Sequence, residues 1–409
     1  MKVLSLFDGM ACGMIAMKNA GVNVESYDAY EIDKYAIKTA QHNFPEIKEH
    51  GDVFTADFAQ YDGVDFLIGG SPCTYWSIAQ TKNRETTASG MGWELFSQYV
   101  RALKEAKPKF FIYENNKSMS KDIRKSICDT FGFEPVCINS ALISAQNRQR
   151  LYWVGKRELN GTYSRVDVKQ PEDKGVLLRD ILETGVAWQE KSYCVTATEY
   201  KGSNLKQTIA KHRRTMVAEP IRIGTIENDA KNPDHDSQQY RGYSPDGKSV
   251  TLCGNGGGLG AKTGLYATPI TPPMQVNEAT KLGYTVVQPG ECVDLAMPQS
   301  KTRRGRAMKD KTNCLTTSCE FYEYCGTIDA PIYQVRGGMI TVKGKEYPIR
   351  LRDGCYIIRK LTVTECKRLQ TVPDWYEFPV SNSQAYKMLG NGWTCDVISH
   401  LIKSTGAVE

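Results

Sequence analysis

The run Val64-Asp-Phe-Leu-Ile-Gly-Gly-Ser-Pro-Cys73 decides how this chain folds. Its first seven residues are nearly all apolar, as in a strand buried on both faces of a parallel sheet. A Gly-Gly-Ser-Pro turn then ends the strand and lifts Cys73 to the carboxyl edge, where such sheets bind ligands. Upstream, Val3–Phe7 and Val24–Glu31 read as strands, with helices near Cys12–Ala20 and Lys34–Asn43. Downstream, helix Trp93–Glu105 leads to strand Lys109–Glu114, and helix Ser120–Thr130 leads to Pro135–Ile143. Arg150–Gly155 closes the series. This alternation predicts an α/β fold with a doubly wound, mostly parallel sheet.

The texture changes near residue 160, where Gly, Pro, Asn and Thr become common and helical periodicity fades. Ser192–Thr198, Ser249–Cys253 and Thr312–Ser318 echo one another, each reading as a strand beside a polar turn. Gly254–Gly260 reads as a flexible loop. Helical character returns at Thr362–Gln370 and Gln384–Lys403. We read 160–355 as a β-rich insert, with 1–159 and 356–409 forming one α/β domain around it.

Composition sets further bounds. The 409 residues are 41% hydrophobic and 24% charged, the balance of an ordinary globular protein with room for two domains. No apolar run approaches the roughly 18 residues of a membrane span. The apolar run at Met1–Phe7 is too short for a signal peptide. The 13 cysteines are odd in number, which fits free thiols in a reducing cytosol. Cys314, Cys319 and Cys325 cluster, but without Cys-x-x-Cys spacing or a nearby histidine, so strand cysteines are favoured and no metal is expected. Net charge is +6; residues 201–350 carry 21 Lys+Arg against 14 Asp+Glu, an excess of 7. A solvated surface would account for that excess, and so would a face that meets a polyanion.

Several strand ends carry chemistry. Leu6-Phe-Asp-Gly-Met-Ala-Cys-Gly13 is a glycine-containing turn that opens a helix, able to bring backbone N–H groups close to a ligand. It lacks Gly-x-Gly-x-x-Gly, which disfavours hydride transfer. An ordinary tight turn is an equal reading of it. Glu31 is placed to bond ribose hydroxyls, and Asp52 to accept from an adenine amino group. Either acid alone is more often a surface carboxylate; in series they fit an adenosine-bearing cofactor. Cys73, in a glycine-proline turn, is a plausible nucleophile, although inert buried thiols are commoner. Glu114, in Tyr113-Glu-Asn-Asn116, ends the neighbouring strand and makes a general acid beside it. Arg148 and Arg150, in Gln146-Asn-Arg-Gln-Arg150, suit an anion or a carbonyl oxygen, or else a solvated edge.

Together these segments resemble the DNA cytosine-5 methyltransferase family. Phe7-Asp8-Gly9 with Gly13 is similar to its first cofactor motif, and Ser71-Pro72-Cys73 to its catalytic Pro-Cys. Glu114-Asn115 resembles its Glu-Asn motif, and Gln146-x-Arg148-x-Arg150 its Gln-x-Arg-x-Arg. Arg359–Glu365 with Arg368-Leu-Gln370 and Pro373 looks like the ninth motif, and Gln384–Lys387 with Gly390-Asn391 like the tenth. The stretches Val3–Gly9, Ile68–Cys73 and Gly392–Thr394 are similar to the eukaryotic de novo subfamily, without its regulatory domains. A bare catalytic chain with a large insert looks bacterial or viral.

The resemblance implies S-adenosyl-L-methionine as cofactor. Phe7, Asp8, Gly9, Met10, Ala11, Cys12 and Gly13 would hold it, with Glu31, Asp52 and Val53 at successive strand ends. Pro72, Asn391 and Trp393 would complete that site. It further implies that Cys73 adds to C6 of a flipped cytosine while Glu114 bonds N3 and the amino group. Arg148 would contact the base carbonyl, with Arg150 supporting. The insert would recognise double-stranded DNA. Ser77 in the polar loop Thr74–Gly92, Arg213, Arg214, Arg303, Arg304 and Arg306 are its candidate DNA contacts. The expected setting is a monomer in the cytoplasm of a bacterial or phage-infected cell, beside the nucleoid, with or without a partner restriction endonuclease.

Three departures stand out. Ser71 replaces a proline, Asn116 a valine, and Met91-Gly-Trp-Glu94 the family's Arg-Gly pair. Rival readings are a tRNA cytosine-5 methyltransferase, which would have a shorter insert, and a silent DNA-binding homologue, which would lack Cys73 or Glu114. Amino-group methylation would require Asn/Asp-Pro-Pro-aromatic at 70–73.

Overall fold

The computed structural model describes residues 1–78, 84–201, 205–211, 214–220 and 354–407. Between them it describes 222–225, 241–243, 265–266, 274–281, 283–287, 291–294, 307–309, 321–323, 332–342 and 344–351. The main strands are β1 (Lys2–Leu6), β2 (Ser26–Tyr30), β3 (Lys48–Glu49), β4 (Phe66–Gly69), β5 (Phe110–Asn116), β6 (Val136–Asn139) and β7 (Gln149–Arg157). They form one sheet in the order β3-β2-β1-β4-β5-β7-β6. The first five are mutually parallel, and β7 runs antiparallel to both its neighbours. Strand order reverses between β1 and β4, so Cys73, just past β4, stands at the switch point where such sheets open a crevice.

Helices cover both faces. All four residues of β4 are buried, as the apolar run required. Phe66 and Ile68 pack under α1 (Cys12–Ala20) and α2 (Lys34–Asn43), whereas Leu67 faces α3 (Met91–Ala106) and α4 (Lys121–Phe131). This two-sided burial holds the carboxyl edge of β4 still. Ser120 caps α4 by accepting from the Ile123 amide, satisfying one of the first-turn donors.

Past β7 the chain stays on this layer for longer than the composition suggested. Strand β8 (Tyr163–Arg165) pairs with β7. Leu178 and Ile181 of α5 (Leu178–Ile181), and Val195, lie in the first core. A separate core holds Leu205 of α6 (Leu205–Lys211) with Met216, Ala218, Val335, Ile340 and Tyr356. It packs on a five-stranded sheet ordered Lys345–Pro348, Met339–Val342, Ile332–Arg336, Gly354–Lys360, Met216–Pro220. Smaller two- and three-stranded sheets lie between, so the inserted region is β-rich.

The expected strand Ser192–Thr198 does not form; only an isolated bridge joins Ser192 to Gln146. Ser192 bonds the backbone of Ala145 and Asn147, and further along side chains take over. The Val195 amide donates to Gln146 Oε1, and the Val195 carbonyl accepts from Arg148. The echoing segments 249–253 and 312–318, the loop 254–260 and the cysteines at 314, 319 and 325 lie outside the described residues. The helical stretch expected at 384–403 is two helices, α8 (Asn382–Asn391) and α9 (Cys395–Ser404), following α7 (Val363–Leu369). They break because Gly392 turns extended and gives its carbonyl to Arg148. Among the described residues no helix is long and apolar enough to cross a membrane.

Candidate active site

Cys73 opens a short 3-10 turn, Cys73–Tyr75, whose preceding residue is Pro72. The turn is braced from β5. Asn115 donates to the Ser71 carbonyl at 3.2 Å, and Ser71 Oγ lies 2.6 Å from Tyr113 Oη. That bond gives Ser71 a use no proline could have. Asn116 donates to the Cys73 carbonyl at 3.4 Å and accepts from Ser118 at 2.8 Å. Behind the turn Trp76 is fully buried, and its Nε1 donates to Glu85 at 3.0 Å. Glu85 also accepts from Gly92 N at the start of α3. The loop is thus tied to the helix where the Arg-Gly pair is missing.

Glu114 is buried, with both carboxylate oxygens engaged. Oε1 is 3.1 Å from Arg150 Nε, and Oε2 accepts from Trp393 Nε1 at 3.0 Å. Gly70 lets this carboxylate approach the turn, since a Cβ there would lie 2.8 Å from Glu114 Oε2. Burial pushes the Cys73 thiol up; Arg150 pulls it down, Glu114 pushes it up again, and the net direction is upward.

The two arginines divide differently from the expectation. Arg148 is buried and spends its guanidinium on the carbonyls of Val195, Gly390 and Gly392, the last at 2.7 Å. Arg150 points to Glu114 and lines the cavity that Cys73 opens into. That cavity is about 730 Å³ and is also lined by Ser77, Cys194, Thr196 and Asn391. Its size falls within the roughly 300–1,000 Å³ of small-ligand sites. Cys194 was not anticipated. Read as a strand residue, it carried no motif of its own.

Motifs distant in sequence meet through glutamines. Gln146 donates to the Leu369 carbonyl, Gln370 donates to the Leu389 carbonyl at 2.6 Å, and Thr394 donates to Gln370 at 2.9 Å. Trp393, expected at the cofactor, donates its Nε1 to Glu114.

At the ends of β1 and β2 the loop is tight. Phe7, Gly9 and Ala11 all have φ near +60°. For phenylalanine and alanine this is a strained conformation, tolerated where function fixes the backbone. Glu31 accepts from the amides of Gly9, Ile32 and Asp33, each at 2.8 Å. Asp8 is buried, taking Ser5 Oγ and Tyr27 Oη on one oxygen, while Oδ2 has no partner among the described residues. Met10, Ala11, Cys12 and Gly13 are buried at the start of α1, and Tyr376 Oη donates to the Met10 carbonyl. Asp52 is exposed three residues past β3, not at its end, and caps the short turn begun by Val53. An added Cβ on Gly9 would meet nothing within 4 Å, so the cradle is open there. An orphan buried carboxylate oxygen and an acidic rim fit a cationic, ribose-bearing group.

Of the candidate DNA contacts, Ser77 lines the cavity and Arg214 donates to Thr198 Oγ1 at 2.9 Å. Arg213, Arg303, Arg304 and Arg306 lie outside the described residues.

Comparison with known proteins now bears on this geometry. The model of the C-5 cytosine-specific DNA methylase family matches residues 1–407. Orphan methyltransferase M.SPRI of Bacillus phage SPR is 28% identical over 457 residues, covering 98% of this chain and 97% of its own. Type II methyltransferase M1.ScrFI of Lactococcus lactis subsp. cremoris is 30% identical over 218 residues, 51% of this chain and 54% of that protein. Among solved structures, the S. pombe Dnmt2 methyltransferase is 15% identical with a TM-score of 0.45, covering 98% of this chain and 97% of that one. With the family match running through both halves of the site, the chain belongs to the C-5 cytosine-specific DNA methylases and is a DNA methyltransferase.

Proposed function

We propose that the chain transfers a methyl group from S-adenosylmethionine to C5 of a cytosine flipped out of duplex DNA, with Cys73 as nucleophile. The observation that carries this is Cys73 opening, beside Glu114 and Arg150, into one cavity at the switch point. C5 of cytosine is a poor nucleophile. Addition of the Cys73 thiolate to C6 moves an electron pair to C5 and divides one hard step into easier ones. Glu114 hydrogen-bonds N3 and the amino group, favouring that addition. Arg150, rather than Arg148, faces the base and favours the Cys73 thiolate; Arg148 fixes the pocket wall. After methylation the C5 proton leaves to a base, and Cys73 is eliminated.

When bound, S-adenosylmethionine supplies the electrophilic methyl group. Asp8, Glu31 and the backbone of Phe7–Gly13 would hold it, with Asp52, Val53 and Pro72 at the adenine end and Asn391 at the cavity side. Relatives are phage and bacterial, two of them named orphan and type II methyltransferases. In keeping with those relatives, we take the setting to be sequence-specific modification in a bacterial cytoplasm, by a monomer acting with or without a partner endonuclease. We further place the division between catalytic and recognition regions after Val195 and within Gly354–Lys360. Incubation with tritiated S-adenosylmethionine and mixed duplex DNA tests the reading. Label in 5-methyldeoxycytidine is expected. Label in tRNA alone, or in neither, contradicts it.

A further inference from the structure

The cavity holds a second thiol that the proposed chemistry does not use. Cys194 Sγ accepts from Arg148 Nη1 at 3.2 Å and lies 3.8 Å from Arg150 Nη2. Among the described residues it is the one side chain contacted by both guanidiniums. Its loop cannot drift, because Gly390 packs so closely that a Cβ there would lie 2.1 Å from the Ala197 amide. Arg148 binds the Val195 carbonyl as well, so both backbone and sulfur of this loop are fixed.

The residue type matters. A carboxylate at this place would draw Arg150 into a bidentate pair, away from Glu114. An alanine would leave Arg150 Nη2 without this contact. Sulfur is a large, weak acceptor that can steady a guanidinium without capturing it. Burial pushes the Cys194 thiol up, but the two arginines outweigh it and the net direction is downward, so the pocket favours negative charge there.

We propose that Cys194 is a positioning residue for methyl transfer: its sulfur, shared by Arg148 and Arg150, holds Arg150 beside Glu114 and Cys73. This rests on Cys73 being the nucleophile. Arg150 reaches Glu114 through Nε and the Gln149 carbonyl through Nη1, and Cys194 occupies the remaining arm.

The test compares Cys194→Ala and Cys194→Ser by steady-state methylation, thermal melting and trapping on duplex DNA carrying 5-fluorocytosine. Cys194→Ala should lower kcat roughly tenfold while KM for DNA stays within about twofold, as for misplacement of a catalytic group. Cys194→Ser, which keeps an acceptor, should recover most of the loss and trap faster than the alanine variant. Wild-type kcat in Cys194→Ala would overturn the proposal. So would equal losses in both variants that follow their melting temperatures, since the sulfur would then be packing alone. If the wild type itself forms no adduct at Cys73, the nucleophile reading fails and takes this one with it; an adduct with unchanged variants removes only the role of Cys194.

Discussion

Over β1 to β3 the carboxyl edge of the sheet carries Asp8, Glu31 and Glu49, whereas over β4, β5 and β7 it carries Cys73, Glu114 and Arg150. Among the described residues, Asp8, Glu31 and Glu49 of the first half form no ion pair. Burial, with Asp8 and Glu31 adding to it, pushes Glu49 up to about 8, and neither of its oxygens has a partner among the described residues. The second half has one guanidinium on the Glu114 carboxylate and a second beside it on Cys194. One edge thus offers a field suited to a cationic methyl donor on one side and to a base gaining electron density on the other. The difference teaches that the two halves should fail separately.

The largest effect belongs to the basic half. Cys73→Ala should lower turnover by at least about a thousandfold, because in the proposed mechanism its thiolate forms the C6 bond. Donor affinity by calorimetry should stay near wild type, which would confirm that the halves are independent. Glu114→Gln comes next, with a loss of roughly 10²–10³ in kcat as the ion pair to Arg150 is removed and proton donation is lost. Gly70→Ala should cost about ten- to a hundredfold in kcat by driving a methyl against Glu114 Oε2, with little change in donor binding.

The smallest effect belongs to the acidic half and depends on pH. Burial pushes Asp8 up to about 6, Glu31 adds to this, and bonds from Ser5 and Tyr27 oppose it. The unfolded value is near 3.9, so between about pH 4 and 6 the folded chain binds the extra proton. Stability therefore falls as pH rises through that window. A cationic donor favours the carboxylate, so donor affinity should rise severalfold from about pH 5 to 7. Asp8→Asn should lessen both dependences, read by melting and by calorimetry, with Glu49 leaving a residual slope in stability up to about pH 8. Dependences unchanged in the variant would break the contrast between the halves.

Much of this was legible in the sequence, for reasons that differ by element. β4 announced itself because burial on both faces leaves an unbroken apolar run, and α2 forms at the expected Lys34–Asn43, where Asp33 caps it. Cys73, Glu114 and the arginines lay at strand ends, where a linear pattern and a spatial one coincide. What could not be read depends on contacts between distant segments. The division of work between Arg148 and Arg150 is set by the carbonyls of Gly390 and Gly392, some 240 residues away. Ser192–Thr198 looks like a strand because Val and Thr favour one, yet at Val195 its backbone is held by the side chains of Gln146 and Arg148. Cys194 had no pattern to mark it. The bond from the Trp393 indole to Glu114 depends on α8 ending before Gly392 and could not be read from the sequence.

The most direct test is mass spectrometry of the protein after incubation with S-adenosylmethionine and duplex DNA carrying 5-fluorocytosine. Fluorine at C5 cannot leave as a proton does, so the adduct should persist. A covalent complex mapped to Cys73, absent in Cys73→Ala, is the predicted result. Methylation of ordinary cytosine without any adduct, or an adduct mapped to Cys194, would contradict the account.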